Sequence, residues 1–134
     1  MKLWNDHTAL SVADLDAAAA WYRQMLGFEE EEREYVPPAA AAVATLRRGE
    51  LRLELFRPDQ PLPMDPARSD PDRDPQTLGV KHLCLGTDDL EGLAASLREK
   101  GADVALGPVR KGSCTLYYIR DNTGNLIELM QRDS

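Results

Sequence analysis

His7-Thr8-Ala9-Leu10 and His82-Leu83-Cys84-Leu85 are two readings of one plan, and each has a distant partner, Leu53-Glu54-Leu55 and Ile127-Glu128-Leu129. His7 and His82 are the only two histidines of the chain. The spacing from histidine to glutamate is 54 − 7 = 47 in the first half and 128 − 82 = 46 in the second. Laying residue 82 on residue 7 also pairs Leu10 with Leu85, Asp14 with Asp89, Leu15 with Leu90, Asp16 with Glu91, Ala20 with Ala95 and Arg23 with Arg98. After the loss of one residue, Gly27 falls on Gly101 and Glu54 on Glu128. The chain is therefore an internal repeat. A lone histidine on a strand is more often a hydrogen-bonded structural residue, and a lone glutamate between aliphatics more often a solvent face. A matched duplication needs the same accident twice. Two imidazoles and two carboxylates at equivalent places point instead to a divalent-metal site closed by the repeat, with His7, Glu54, His82 and Glu128 as candidate ligands.

Working outward, Thr8, Leu10 and Val12 alternate with His7, Ala9 and Ser11, as in a strand with two unlike faces. Asp14 caps a predicted helix from Leu15 to Leu26, stopped by Gly27, with Leu15, Ala18, Ala19, Tyr22 and Leu26 as its buried stripe. Phe28 to Val36 carries five glutamates, but Gly27 before it and Tyr35-Val-Pro-Pro after it favour an edge strand over a helix. Residues 41–48 and 51–57 read as a hairpin turning at Arg48-Gly49-Glu50. In its second strand Leu51, Leu53 and Leu55 share one face, and Arg52, Glu54 and Phe56 the other.

The second half repeats the plan: a strand at 80–87, an Asp89-capped helix to Lys100, a short strand at 103–106, a loop at 107–112, and strands at 114–120 and 125–131. Six of the nine prolines and five aspartates fall in 57–79, which cannot be a central strand or a helix interior. The expected organisation is one α+β domain of 134 residues in two βαβββ modules, about 1–57 and 80–134, joined by the connector 58–79.

Composition narrows the function. The net charge of −7 argues against nucleic-acid partners. No apolar run approaches the ~20 residues that span a bilayer, so no membrane partner is expected. Met1-Lys-Leu-Trp-Asn-Asp-His7 lacks a signal-peptide core, so a cytoplasmic protein with reduced cysteines is expected. The strand faces that hold the histidines and glutamates also carry Ala9, Ser11, Arg52, Phe56, Cys84, Leu126 and Met130. A sheet face with apolar lining and polar chemistry at its middle is a pocket wall for a small-molecule substrate. Arg110 and Lys111, in a Gly-flanked loop, are candidates to hold an anionic part of it.

The full set of motifs resembles the vicinal oxygen chelate superfamily, also called the glyoxalase, bleomycin-resistance and extradiol-dioxygenase superfamily. Its carriers are His7 with Ala13-Asp-Leu15 and Trp21-Tyr-Arg-Gln-Met-Leu-Gly27; Leu53-Glu-Leu-Phe56; Gly79-Val-Lys-His82 with Asp88-Asp-Leu90; and Gly107-Pro-Val109 leading to Asp121-Asn-Thr-Gly-Asn-Leu-Ile-Glu128-Leu129. The resemblance implies half-barrel modules that pair into a cupped eight-stranded surface around one divalent ion on His7, Glu54, His82 and Glu128. It also implies a homodimer, which would cover open sheet edges.

Four ligands resemble glyoxalase I and methylmalonyl-CoA epimerase, lyase or isomerase enzymes that move a proton on carbon next to a carbonyl. Zn, Ni, Co or Mn suits that chemistry. Ring-cleaving iron dioxygenases resemble a pattern of two histidines and one carboxylate, and Glu54 is one ligand too many for it. Members of the bleomycin-resistance branch that bind drugs or metabolites without catalysis lack the ligands. Bacterial glyoxalase I has an arginine four residues after the first histidine and an asparagine shortly after the first glutamate. Here Ser11 and Pro58 stand there, so the glutathione site is not carried over. Of the two carboxylates, Glu128 between Leu126 and Met130 is the expected catalytic base. Glu54, beside Arg52, is expected to act chiefly as a ligand.

Overall fold

The computed structural model describes residues 1–134, which divide into two compact units, Met1–Leu62 and Pro63–Ser134. The first contains β1 (Thr8–Ser11), α1 (Leu15–Leu26), β2 (Glu29–Val36), β3 (Ala41–Arg48) and β4 (Leu51–Pro58). The second contains β5 (Leu83–Gly86), α2 (Leu90–Glu99), β6 (Asp103–Lys111), β7 (Cys114–Arg120) and β8 (Leu126–Arg132). Each unit is one four-stranded mixed sheet, ordered β1-β4-β3-β2 and β5-β8-β7-β6. This is the α+β, βαβββ repeat that the sequence predicts, with each sheet open at its edges rather than closed into a barrel. No helix is long and apolar enough to cross a membrane.

Local chemistry sets the helices. Asp14 accepts a hydrogen bond from the Ala17 amide at 3.0 Å, and Asp89 from the Gly92 amide at 2.9 Å. Each such cap contributes about 1 kcal/mol by satisfying an amide that the helix cannot. Gly27 takes φ 71°, a left-handed conformation that ends α1 and returns its amide to Arg23 and Tyr22. Leu15, Ala18, Tyr22 and Leu26 are buried, and α1 packs on β2, β3 and β4 over Ala44, Leu46, Leu53 and Leu55. Phe28 is fully buried, with its ring edge-on to Tyr22. Leu51, expected on that buried face, is 45% exposed because it sits at the turn end of β4.

Two elements differ from expectation. The strand predicted at 80–87 pairs only over Leu83–Gly86, so His82 lies just ahead of the ladder. The predicted strand 103–106 and loop 107–112 form one edge strand, β6, with register shifts between Val104 and Leu106 and between Leu106 and Val109. Pro108 interrupts pairing without ending the strand, because an edge strand with a bulge tolerates the missing donor.

Gly107 sits in that bulge at φ 124°. A β-carbon there would come within 2.6 Å of the Tyr117 ring and 2.9 Å of the Leu116 carbonyl oxygen. Gly107→Ala is expected to lower stability by roughly 2–3 kcal/mol, from strain and overpacking together. A urea midpoint equal to the parent's would refute this.

The Pro/Asp-rich segment is ordered within the second unit from residue 63 onward. It forms two 3-10 turns, Pro66–Ser69 and Asp74–Gln76, each with proline in its opening positions. Arg120 Nε donates to the Ser69 carbonyl, and Ser69 Oγ to the Gly124 carbonyl, both at 2.7 Å. Arg68 Nη2 donates to the Val80 carbonyl, also at 2.7 Å.

Candidate metal centre

In the first unit, β1 runs parallel to β4 with Ala9 opposite Glu54. His7, two residues ahead of Ala9, lies on the same face, and its Nε2 meets Glu54 Oε2. Its other ring nitrogen, Nδ1, is 2.9 Å from Asp6 Oδ2. Arg52 reaches Asp6 at 3.4 Å. The Asp6 carboxyl is held below the usual carboxylate range, chiefly by its contact with His7. A carboxylate on one imidazole nitrogen fixes the ring and leaves the other to bind.

The second unit repeats the geometry. Cys84 is opposite Glu128 in the β5–β8 ladder, and His82 Nε2 lies 2.8 Å from Glu128 Oε2. Here the surroundings are drier. The Glu128 side chain is 9% exposed against 27% for Glu54, and that of His82 20% against 37% for His7. Tyr118, across the β7–β8 ladder from Glu128, stands edge-on to His82 with ring centroids 5.1 Å apart. Burial, reinforced by the charge of Glu128, pushes the Tyr118 hydroxyl up to about 12 and the Cys84 thiol up to about 11. Both groups stand beside Glu128 across the ladders and remain protonated at neutral pH.

Tyr118 is the neighbour that sequence reasoning missed. The repeat offset of 74 that carries Glu54 to Glu128 carries Thr45 to Ile119, yet Thr45 and Tyr118 occupy equivalent ladder positions. The turn between Arg48 and Leu51 has two residues, whereas that between Arg120 and Leu126 has five, and this shifts the register.

The remaining candidates divide by face. Arg52 and Phe56 alternate with buried Leu53 and Leu55 on the Glu54 side, and Ser11 pairs with Phe56. Cys84 and Met130 are on the Glu128 side of the second sheet. Lys111 pairs with Cys114, and Cys114 with Arg132, which brings both cations to the far end of that face. Arg132 is a second residue missed in the sequence, and its charge bears on Cys84. Arg110 lies elsewhere. It pairs with Thr115, and Thr115 with Gln131, on the helix side, and its guanidinium is held by Asp133. Arg110 is thus set apart from the Glu128 face, on which Lys111 and Arg132 lie.

Within neither unit do three or more His, Cys, Asp or Glu side chains gather into a ligand cluster; each contributes one His/Glu pair. The donors of a pair, an imidazole nitrogen and a carboxylate oxygen within hydrogen-bonding reach, are those that borderline divalent ions such as Zn, Ni, Co and Mn take. Each pair thus offers two donors of the kind such an ion takes.

The model of the Glyoxalase/Bleomycin resistance protein/Dioxygenase superfamily matches residues 4–129. Human mitochondrial methylmalonyl-CoA epimerase is 28% identical over 97% of this chain and 77% of its own length. A probable lactoylglutathione lyase from Synechocystis is 25% identical over 96% of this chain and 95% of its own. The crystal structure of a glyoxalase family protein from Enterococcus faecalis superposes with a TM-score of 0.79 at 24% identity, over 95% of this chain and 96% of that one. With its repeated βαβββ units and the span of that match, the chain belongs to the Glyoxalase/Bleomycin resistance protein/Dioxygenase superfamily.

Proposed function

We propose that this chain is a divalent-metal-dependent lyase, isomerase or epimerase that transfers a proton on carbon next to a carbonyl of a small substrate. The observation that carries the reading is the duplicated His/Glu contact, placed at the same ladder position in both units. His7 with Glu54, and His82 with Glu128, are the donor pairs that would hold metal. Two neutral imidazoles and two carboxylates balance a divalent charge. A bound ion would supply Lewis-acid polarisation of the substrate carbonyl.

The chain's own residues supply the rest. Glu128 takes the proton from carbon, Tyr118 stands across the ladder from Glu128, and Lys111 and Arg132 attract an anionic substrate along the same face. The similarity to an epimerase and to a lyase supports this class, and the second carboxylate, Glu54, favours it over ring cleavage. The direct test is proton exchange or turnover with metal-reconstituted protein. Methylglyoxal with glutathione would be one substrate and a 2-methyl-branched acyl-CoA the other. Absence of both α-hydrogen exchange in deuterated water and turnover, with either substrate, would count against the reading.

We also propose that the chain works as a homodimer. Open sheet edges and exposed apolar residues beside them, Leu3 and Trp4 before β1 and Leu78 and Val80 before β5, support it. Light scattering at micromolar concentration should give about twice the chain mass of 14.9 kDa. A monomer mass would end this part of the reading.

A further inference from the structure

The second half-site has an anchor behind it that the first lacks. Asp74, in the second 3-10 turn, is 1% exposed. Its Oδ1 pairs with Arg68 Nη1 at 3.2 Å and with Lys81 Nζ at 3.5 Å. Lys81 Nζ also donates to the Asp74 carbonyl at 2.8 Å and to the Thr77 carbonyl. The other carboxylate oxygen, Oδ2, is buried without a hydrogen-bond partner. A buried charge held with one oxygen unsatisfied is poor economy for stability alone, since an apolar replacement would avoid the desolvation.

Two connections lead from Asp74 to the candidate ligands. Lys81 is the residue before His82, and neither lies in the β5 ladder, which begins at Leu83. The sheet therefore leaves the backbone at His82 to be fixed by other means, and the Lys81 tether does it. Asp74 also bears electrostatically on Tyr118, which is opposite Glu128 in the β7–β8 ladder and stands against His82. In the first unit the residue before the histidine is Asp6, which touches the imidazole itself. The two units thus steady their histidines by different routes.

We propose that Asp74, with Lys81 as its tether, is a positioning residue for the His82/Glu128 half-site. It holds the peptide that carries His82 so that the imidazole meets Glu128 ready to bind a metal. This deepens the proposed function and rests on it for the metal.

The test compares the full-length parent with Asp74→Asn, Lys81→Ala and Lys81→Arg, with Asp133→Asn as a surface control. Cobalt(II) affinity is read by titration, and the two imidazoles by their nitrogen-correlated NMR signals at fixed pH. Asp74→Asn and Lys81→Ala are expected to weaken cobalt binding ten- to a hundred-fold, the cost of losing a residue that orients a metal ligand. They should shift the His82 signals while leaving those of His7 in place. Lys81→Arg should keep parent-like values, and so should Asp133→Asn. If Asp74→Asn does not fold, the Lys81 pair decides. Parent-like cobalt affinity with unmoved His82 signals in Lys81→Ala would overturn the proposal. If the parent itself binds no cobalt, the metal reading fails; the His82 signals then still decide whether Asp74 and Lys81 position that ring.

Discussion

The double replacement His7→Ala, His82→Ala is expected to abolish divalent-metal binding, while the parent binds about one Zn, Ni, Co or Mn ion per chain. Each imidazole faces the carboxylate of its own unit, so the double variant leaves two isolated glutamates. Even at the ten- to hundred-fold cost of losing a residue that merely supports a ligand, two losses multiply to roughly 10²–10⁴ in affinity. Folding should survive. Both histidines stand ahead of their strands rather than in the core, where Leu53, Leu55, Ile127 and Leu129 carry the packing. Metal content after dialysis, beside a thermal melt, measures both quantities. A double variant that keeps the parent's metal would place the site elsewhere and remove the main support for the proposed function.

The two carboxylates should then prove unequal. With a substrate in hand, Glu128→Gln is expected to lower turnover by about 10²–10⁴, the contribution of a positioned general base. Glu54→Gln should cost roughly ten-fold, provided both variants are loaded with metal. The residues around each explain the order. Glu128 is largely out of water, with Tyr118 and Cys84 opposite it on the neighbouring strands in addition to its hydrogen bond with His82. A carboxylate so held keeps one orientation, and charge in that drier setting acts more strongly on a substrate. Glu54 has only Thr45 and Ala9 at the matching ladder positions and is three times as exposed. Equal losses, or a larger loss at Glu54, would show that burial and hydrogen bonding do not assign the roles. The variants are close isosteres, so a fall in turnover with metal retained reads the lost base and not a lost fold.

The same inequality is visible in the sequence, but for a different reason. Along the strand, Leu126 and Met130 flank Glu128 while Arg52 flanks Glu54. In the folded chain Arg52 turns to Asp6, and the polar neighbours of Glu128 are His82, just ahead of β5, and Cys84 and Tyr118 across the ladders. Strand alternation reports which face a residue takes and nothing about who stands across the ladder.

What the sequence by itself determined is what local physics controls. The caps Asp14 and Asp89, the stop at Gly27, the hairpin at Gly49 and the alternation around each histidine and glutamate all act within a few residues, and all are where the repeat puts them. The pairing of each histidine with its glutamate was also legible. A duplicated spacing is a long-range signal written twice, and strands of equal plan carry it to equal places. Only the tertiary structure decided the rest. Tyr118 reached Glu128 through a turn three residues longer than its counterpart, and the Gly107–Pro108 bulge kept β6 running where proline suggested a loop. Asp74 became a buried anchor because an arginine and a lysine from outside its turn close over it. Register, bulges and buried charge depend on contacts between residues far apart in the chain, and no window of sequence holds both partners at once.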